Sequence, residues 1–197
     1  MKLARSVPLA AALLGCAAIP VVAQEKSVER QIAEAVSPLP EPLRRGAEVL
    51  GYGDGDGDGR MVVLREGTNT MICLADDPMR EGFHTACYHE SLGPFMARGR
   101  ELRAQGKNAA ERRAIRIAEI EAGTLTMPDH PAALYSLTGE EGIFDPATGT
   151  APGAAGLYVV YVAYATEESS GISARPAAEG PWLMGAGTAW AHIMYRR

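Results

Sequence analysis

The sequence lacks any short motif that would assign a chemistry by itself. It contains no HExxH pair of zinc-binding histidines, no CxxC pair and no CxxCH haem attachment site. It also lacks an excess of positive charge, because 19 lysine and arginine residues face 24 aspartate and glutamate residues, giving a net charge of −5. A protein whose surface neutralises phosphate needs the opposite balance, so we expect no nucleic-acid partner.

Internal repeats and a second long apolar run are also missing. A composition of 47% apolar and 22% charged residues excludes a wholly disordered chain, a coiled coil and collagen. After the first two dozen residues, no segment approaches the roughly 20 apolar residues that span a bilayer. The 197 residues suffice for one compact domain.

The first residues have the composition of an export signal. Lys2 and Arg5 precede an almost uncharged apolar stretch, residues 6–23, which ends in small side chains. We therefore predict that residues 1–23 are a signal peptide, cleaved after Ala23. The mature protein is then expected to be periplasmic or secreted.

A second mode of cleavage is open at Cys16. Residues 13–16, Leu-Leu-Gly-Cys, are similar to the bacterial lipobox, in which the cysteine is lipidated and becomes the first residue. This alternative gives a membrane-anchored lipoprotein, held by an acyl chain at Cys16. Cleavage after Ala23 is preferred because the apolar run continues past Cys16.

Export would leave Cys73 and Cys87 as an even pair of cysteines in an oxidising compartment. The residues between them are polar and include glycine and proline, so the chain can bend back on itself. We therefore predict a Cys73–Cys87 disulfide. In the chain-entropy model, closing a loop of this size stabilises the fold by roughly 3 kcal/mol.

Hydrophobic periodicity predicts one α+β domain over residues 43–197, preceded by an N-terminal helix and a proline-rich linker over residues 24–42. Ser27 is the predicted cap of this helix. Apolar runs of strand length and character are bounded by glycine, proline, asparagine and aspartate. They fall at residues 47–52, 61–64, 71–75, 132–137, 157–165 and 190–195. Residues 157–165 carry tyrosine and valine on both alternating faces, which predicts a central strand covered on both sides. The runs at 47–52 and 61–64 predict a β-hairpin, and the run at 71–75 is expected to add a third strand to make a meander. Residues 76–90 are predicted to be irregular.

Helical periodicity appears in two further segments. The first covers residues 92–106, and the second begins at Asn108, which forms a capping box with Glu111. The expected buried side of the second helix comprises Ala110, Ala114, Ile117, Ala118 and Ile120. The predicted fold is α+β, a mainly antiparallel sheet of about five or six strands with a helical hairpin packed on one face.

The Asp-Gly repeat of residues 54–59 is a candidate calcium site. Asp54, Asp56 and Asp58 match the first half of a calcium-binding loop, in which alternate side chains share one oxygen cage. The second half does not match, because Arg65 stands where a bidentate glutamate is required. The preferred interpretation is a hairpin tip with solvated carboxylates, and a low-affinity calcium site is the alternative.

Histidines supply a second candidate site. His84 and His89 flank Cys87, and His192 lies on a predicted strand that can join the same sheet. These residues could hold a transition metal, or a free Cys87 thiolate could act as a nucleophile activated by a neighbouring histidine. A third interpretation is a nucleophile elbow at Ser91 in the segment HESLG, with Asp129 or Asp145 and then His192 downstream. None of these spacings is diagnostic, so ordinary polar or core histidines are preferred.

Two further groups have a structural and a functional interpretation. The segment from Arg98 to Arg116 carries seven cationic and two acidic residues; a solvated helix face is preferred over a surface for anionic partners. The second group is aromatic, and packing in the core and on the sheet is preferred for it over a platform on which a ligand stacks. This group comprises Tyr158, Tyr161, Tyr164, Trp182 and Trp190.

Five segments together resemble a group of uncharacterised exported bacterial proteins. They are REGTN at 65–69, CLADDP at 73–78, ACYHESL at 86–92, FMARGRELRAQG at 95–106, and PWLM with WAHIM between 181 and 194. The resemblance implies export from a bacterium and no particular activity.

The expected function is a non-catalytic envelope protein. It would bind a small ligand, an ion or an envelope partner through the long loops at residues 76–90, 139–156 and 166–187. The alternative is a metalloprotein or enzyme that uses His84, Cys87, His89 and His192.

Overall fold

The computed structural model describes residues 26–53, 60–177 and 179–196. The strands in these residues are β1 Glu48–Gly51, β2 Val62–Arg65, β3 Met71–Leu74, β4 Phe83–His89, β5 Ala132–Gly139, β6 Ala155–Tyr161, β7 Trp182–Met184 and β8 His192–Arg196. The α-helices are α1 Val28–Ala35, α2 Glu41–Arg44, α3 Gly93–Ala104, α4 Ala109–Glu121 and α5 Glu167–Ser170. The predicted signal peptide, Cys16 and the carboxylates Asp54, Asp56 and Asp58 lie outside these residues.

The strands form one mixed but mostly antiparallel sheet in the order β2-β1-β3-β4-β5-β6-β8-β7. The α+β class is therefore confirmed, but the expectation of about five or six strands is too low, since the described residues form eight. The two strands that the sequence did not predict are β4 and β7.

Strand β4 lies inside the segment that the sequence predicted to be irregular. Its side chains alternate, with Phe83, Thr85 and Cys87 all 2% exposed or less. The apolar pattern was hidden because a threonine occupies one of the buried positions and histidines the partly exposed ones. Strand β7 is only three residues long and stands among glycines and prolines.

The predicted meander is also wrong, because β3 pairs with β1 and not with β2. The pairing of β3 and β1 is parallel, with Val49 opposite Cys73, and β2 pairs with β1 on its other side. Residues 66–70 must therefore carry the chain across the start of β1.

Two glycines allow this crossing at close range. A Cβ atom on Gly67 would lie 2.9 Å from the backbone nitrogen of Glu48, and one on Gly46 would lie 2.9 Å from Oγ1 of Thr68. Two hydrogen bonds hold the crossing chain in place. The backbone N–H groups of Thr68 and Asn69 donate to the carbonyl oxygen of Gly46, with N–O distances of 2.7 and 3.0 Å. A side chain at Gly67 would push against backbone, which has little room to move.

The predicted N-terminal helix is confirmed as α1, and it packs on one face of the sheet. Ser27 caps it, because its Oγ accepts a hydrogen bond from the backbone nitrogen of Arg30 at 3.3 Å. Ala35 and Val36 join a buried cluster with Val49 and Cys73. We call this side of the sheet the α1 face.

The opposite side of the sheet is the α3 face. Leu92 and Phe95, at the start of α3, are at most 1% exposed and pack with Val159 and Tyr161 of β6. The predicted capping box of the next helix is confirmed, since Asn108 and Glu111 each bond to the other's backbone nitrogen. No residue of α4 is buried, however, so the expected buried side of this helix is wrong.

An ion pair connects the two consecutive helices α3 and α4. Nη2 of Arg98 lies 2.6 Å from Oε1 of Glu119. No helix in the described part of the chain is long and apolar enough to cross a membrane.

Candidate functional site

The predicted histidine residues do not converge on one point. His84 and His89 stand near opposite ends of β4 and, being an odd number of residues apart, project from opposite faces. The sheet order places His192 on β8, three strands away from β4, which is about 14 Å at the usual strand spacing. Across the ranges 26–53, 60–177 and 179–196, no group of three histidine, cysteine, aspartate or glutamate residues is placed to hold a metal.

Two of these histidines are partly buried and have hydrogen-bond partners. Nδ1 of His84 lies 2.9 Å from Oγ1 of Thr138, and Nδ1 of His192 lies 2.8 Å from the carbonyl oxygen of Trp190. A carbonyl can only accept, so the second contact places a proton on Nδ1 of His192. Burial is the main cause that lowers the pKa of both histidines below the ordinary value of 6.5.

His89 has a local structural task at the end of β4. Its Nδ1 accepts a hydrogen bond from the backbone nitrogen of Ser91 at 3.2 Å and lies 2.8 Å from the Ser91 hydroxyl. These contacts cap the 3₁₀ turn Glu90–Leu92 that leads into α3. His192, which the elbow interpretation requires as the base for Ser91, stands three strands away.

Cys73 and Cys87 form the predicted disulfide. They are directly opposite in the antiparallel pair β3–β4, with Cα atoms 4.0 Å apart, and both are fully buried. While this bond is intact, Cys87 carries no thiolate, so the nucleophile interpretation has no nucleophile.

Sequence reasoning missed a buried ionic cluster at the start of the described chain. Nζ of Lys26 lies 2.9 Å from Oε2 of Glu34 and 2.9 Å from Oδ2 of Asp76, and both carboxylate side chains are at most 4% exposed. Arg30 adds a 2.6 Å contact from Nε to Oε1 of Glu34. Burial acts to lower the pKa of Lys26, but the hydrogen bonds to the two carboxylates outweigh it, and the pKa is raised. The cluster is compensated internally: two cations meet two carboxylates.

Most of the predicted basic stretch is occupied by contacts within the protein. The guanidinium of Arg116 lies between the rings of Phe95 and Trp190, 4.1 and 4.5 Å from their centroids. Arg103 pairs with Asp77, and Arg100 donates to the hydroxyl of Tyr88. This stretch therefore binds α3 and α4 to their surroundings, and it is a poor candidate for a free anionic-partner surface.

A second structural feature that the sequence did not reveal is a row of tyrosines on the α1 face. Tyr135, Tyr158 and Tyr195 lie directly opposite one another on β5, β6 and β8. We call these three residues the tyrosine row. It continues the line of the disulfide, because Cys87 on β4 is opposite Tyr135. The row is partly open to solvent, and Tyr195 is 47% exposed.

A groove of about 370 Å³ opens at this row. It is lined by Pro40, Ala133, Leu134, Tyr135, Tyr158, Val159 and Val160. The rings of Tyr135 and Tyr158 meet edge to face there, with centroids 5.2 Å apart. None of the three hydroxyls of the tyrosine row has a hydrogen-bond partner among the residues that the structure describes. The volume lies within the range of small-ligand pockets, about 300–1,000 Å³.

The groove exists because the α1 face is covered at both sides and open between them. The cluster around α1 covers β1, β3 and β4 on one side. A second cluster, in which Ala165, Leu183 and Ala191 pack with Ile193, covers β7 and part of β8 on the other. Val160, between the two, is 36% exposed although it lies on a central strand. The expectation that β6 is covered on both faces is wrong.

The aromatic group identified in the sequence divides between core and surface. Tyr161 and Trp182 are buried as expected, at 8% and 4% exposed, whereas Tyr164 is 66% exposed. Tyr158 belongs to the open groove. The sequence does not reveal the register of β5 against β6. Without that register, the alternation of side chains along each strand does not show that Tyr135 and Tyr158 lie on the same face.

Of the three predicted binding loops, residues 76–90 contain β4, so about half of this segment forms part of the sheet. Comparisons of the chain with protein-family models, with curated proteins and with solved structures find no match.

Proposed function

We propose that this is an exported bacterial envelope protein that binds a ligand without transforming it, and that the tyrosine row is its binding surface. The observation that carries the proposal is the open groove of about 370 Å³ between two covered parts of one sheet face. Contiguous exposed apolar patches often mark interaction sites, and ligand sites are concave and mostly apolar with a few polar groups.

The sequence and the disulfide support the exported location. The leader at residues 1–23 has the pattern of a cleaved signal peptide, and lipidation at Cys16 remains the alternative. A buried disulfide between adjacent strands suits an oxidising compartment such as the periplasm.

The opposite face gives the binding surface a rigid support. We assign α3 and α4 to the predicted helical hairpin, with the Arg98–Glu119 ion pair and the Arg116 contacts holding it together. A rigid sheet presents the tyrosine row with little loss of conformational freedom on binding. The alternative of a metalloprotein or enzyme at His84, Cys87, His89 and His192 has no comparable geometric support.

Export is tested by expressing the full chain, with its own leader, in a bacterium. The protein recovered from the envelope fraction is weighed by intact mass spectrometry. A chain beginning at Gln24 supports cleavage after Ala23, and a lipidated Cys16 supports the anchored form. A full-length chain in the cytosolic fraction would contradict export.

Binding is tested by sedimenting the purified mature protein with isolated bacterial envelopes. We expect the wild-type protein to sediment and Tyr158→Ala, which removes the central ring of the row, to remain in solution. Tyr164→Asn is the matched control, because Tyr164 is an exposed tyrosine outside the groove and asparagine tolerates its positive φ of 62°. Equal behaviour of all three proteins, with unchanged melting temperatures, would contradict the proposal.

A further inference from the structure

We infer that the ligand of the tyrosine row is a neutral glycan, an inference that rests on the proposed function. The row offers aromatic rings and unpaired phenolic hydroxyls side by side. A pyranose ring matches both, because one side of it is a patch of C–H groups and its rim carries hydroxyls. Tyrosine is suited to such surfaces, since it combines an apolar body with a polar tip.

The side chains of the strands that carry the tyrosine row favour an uncharged partner. The residues that β5, β6 and β8 place on this face are all uncharged: Ala133, Tyr135, Leu137, Gly139, Gly156, Tyr158, Val160, Ile193 and Tyr195. An anionic polymer would require arginine or lysine here, and a cationic partner would require carboxylates. These strands offer no counter-ion to a charged partner, which favours an uncharged occupant.

The position of the row within the sheet disfavours an extended peptide. Peptides commonly bind to sheets by adding a strand at an edge, where backbone groups are free. The tyrosine row lies on β5, β6 and β8, whose backbone groups already pair with neighbouring strands. A purely apolar occupant, such as a lipid tail, would leave the three hydroxyls without partners and incur their desolvation cost.

The spacing of the row suits a linear chain of sugars. Adjacent strands are about 4.8 Å apart, which is close to the length of one pyranose ring along a linear glycan. The ring centroids of Tyr135 and Tyr158 are 5.2 Å apart, and their planes are nearly perpendicular, so one ring offers its face and the other its edge to a sugar chain that crosses the strands. Tyr195 lies one strand further along the same line. We expect the glycan to lie across the strands, beginning at Pro40, which lines the groove beside β5.

The inference is tested by titrating the purified mature protein with two neutral oligosaccharides, chitotetraose and cellotetraose, using isothermal calorimetry. We expect binding of at least one sugar that added sodium chloride leaves unchanged, because no ion pair contributes. Tyr158→Ala should weaken the affinity by about tenfold or more, and Tyr164→Asn should bind as the wild type does.

The failure of this inference differs from the failure of the proposed function. If the envelopes still capture the protein through Tyr158 but neither oligosaccharide binds, the glycan is wrong and the binding surface stands. Tyr158-dependent binding to uncharged phosphatidylcholine vesicles, without binding to either sugar, would assign a lipid instead. Oligosaccharide binding that Tyr158→Ala and Tyr164→Asn affect equally would also overturn the inference.

Discussion

Lys26 and Asp76 lie 50 residues apart in the chain and meet at 2.9 Å, between Nζ and Oδ2. The contact fixes the beginning of the described chain to the residues that follow β3. The Asp76 side chain is 4% exposed, so its buried negative charge is stabilised by this ammonium group. The backbone N–H of His84 donates a hydrogen bond to the other carboxylate oxygen at 2.9 Å. Residues near the start of the predicted mature chain thereby complete the buried part of the fold.

Removing this ammonium group should destabilise the protein. In Lys26→Met, Asp76 keeps a buried charge without its counter-ion, whereas Glu34 retains Arg30. We expect the free energy of unfolding to fall by about 2 kcal/mol, less than for a fully buried pair because Lys26 is partly exposed. Lys107→Met is the control, since its pair with Glu111 is long, at 3.9 Å, and exposed. Urea unfolding of both variants checks the prediction, and equal stabilities would refute it.

The disulfide should contribute measurably to stability. Its cysteines are 14 residues apart, so the Cys73→Ala/Cys87→Ala variant should lose about 3 kcal/mol of unfolding free energy in the chain-entropy model. Urea unfolding with and without reductant measures the effect. Reductant should destabilise the wild-type protein and leave the variant unchanged; a wild-type protein indifferent to reduction would contradict the prediction.

The crossing of residues 66–70 over β1 should not tolerate a side chain at its closest point. Gly67→Ala would place a Cβ atom 2.9 Å from the backbone nitrogen of Glu48, and we expect a loss of about 1–3 kcal/mol. Gly93→Ala is the control, because nothing lies within 4 Å of its added Cβ and alanine favours the helix that begins there. Thermal unfolding should separate the two variants, and similar melting temperatures would disprove the steric explanation.

Acid should destabilise the fold through two histidines. The pKa of His84 and of His192 is lowered in the folded protein, chiefly by burial, so the unfolded chain binds these protons more strongly. Their contribution to stability is present above the ordinary pKa of 6.5 and is lost as the pH falls from there through the folded-state values. NMR titration of the imidazole signals, assigned with His84→Gln and His192→Gln, should give midpoints below 6.5. Midpoints at or above 6.5 would show that burial does not control these groups.

Elements with local signals were predictable from the sequence. The helix capped by Ser27 and the capping box of Asn108 and Glu111 are formed by residues at most three positions apart, and both are observed. The cysteine pair was also predictable, because few other pairings were available and a glycine- and proline-containing segment separates the two residues.

Elements that depend on distant partners were not predictable. The parallel pairing of β1 and β3 depends on the close approach of Gly67 to Glu48, and no local pattern reports such an approach. The tyrosine row depends on the register of three strands, and its members are separated by long stretches of chain. The histidines were visible as residue types, but the sheet order that keeps them apart was not.

The disulfide has a consequence for the order of assembly. Cys73 and Cys87 belong to consecutive strands, so in an exported chain the sulfurs can be joined before β5 and everything after it has crossed the membrane. The strands on that side of the cross-link lie in the order β5, β6, β8 and β7, each paired with the one before it. An oxidant that acts early on the emerging chain would thus fix the β3–β4 register before the strands that pair beyond β4 have arrived.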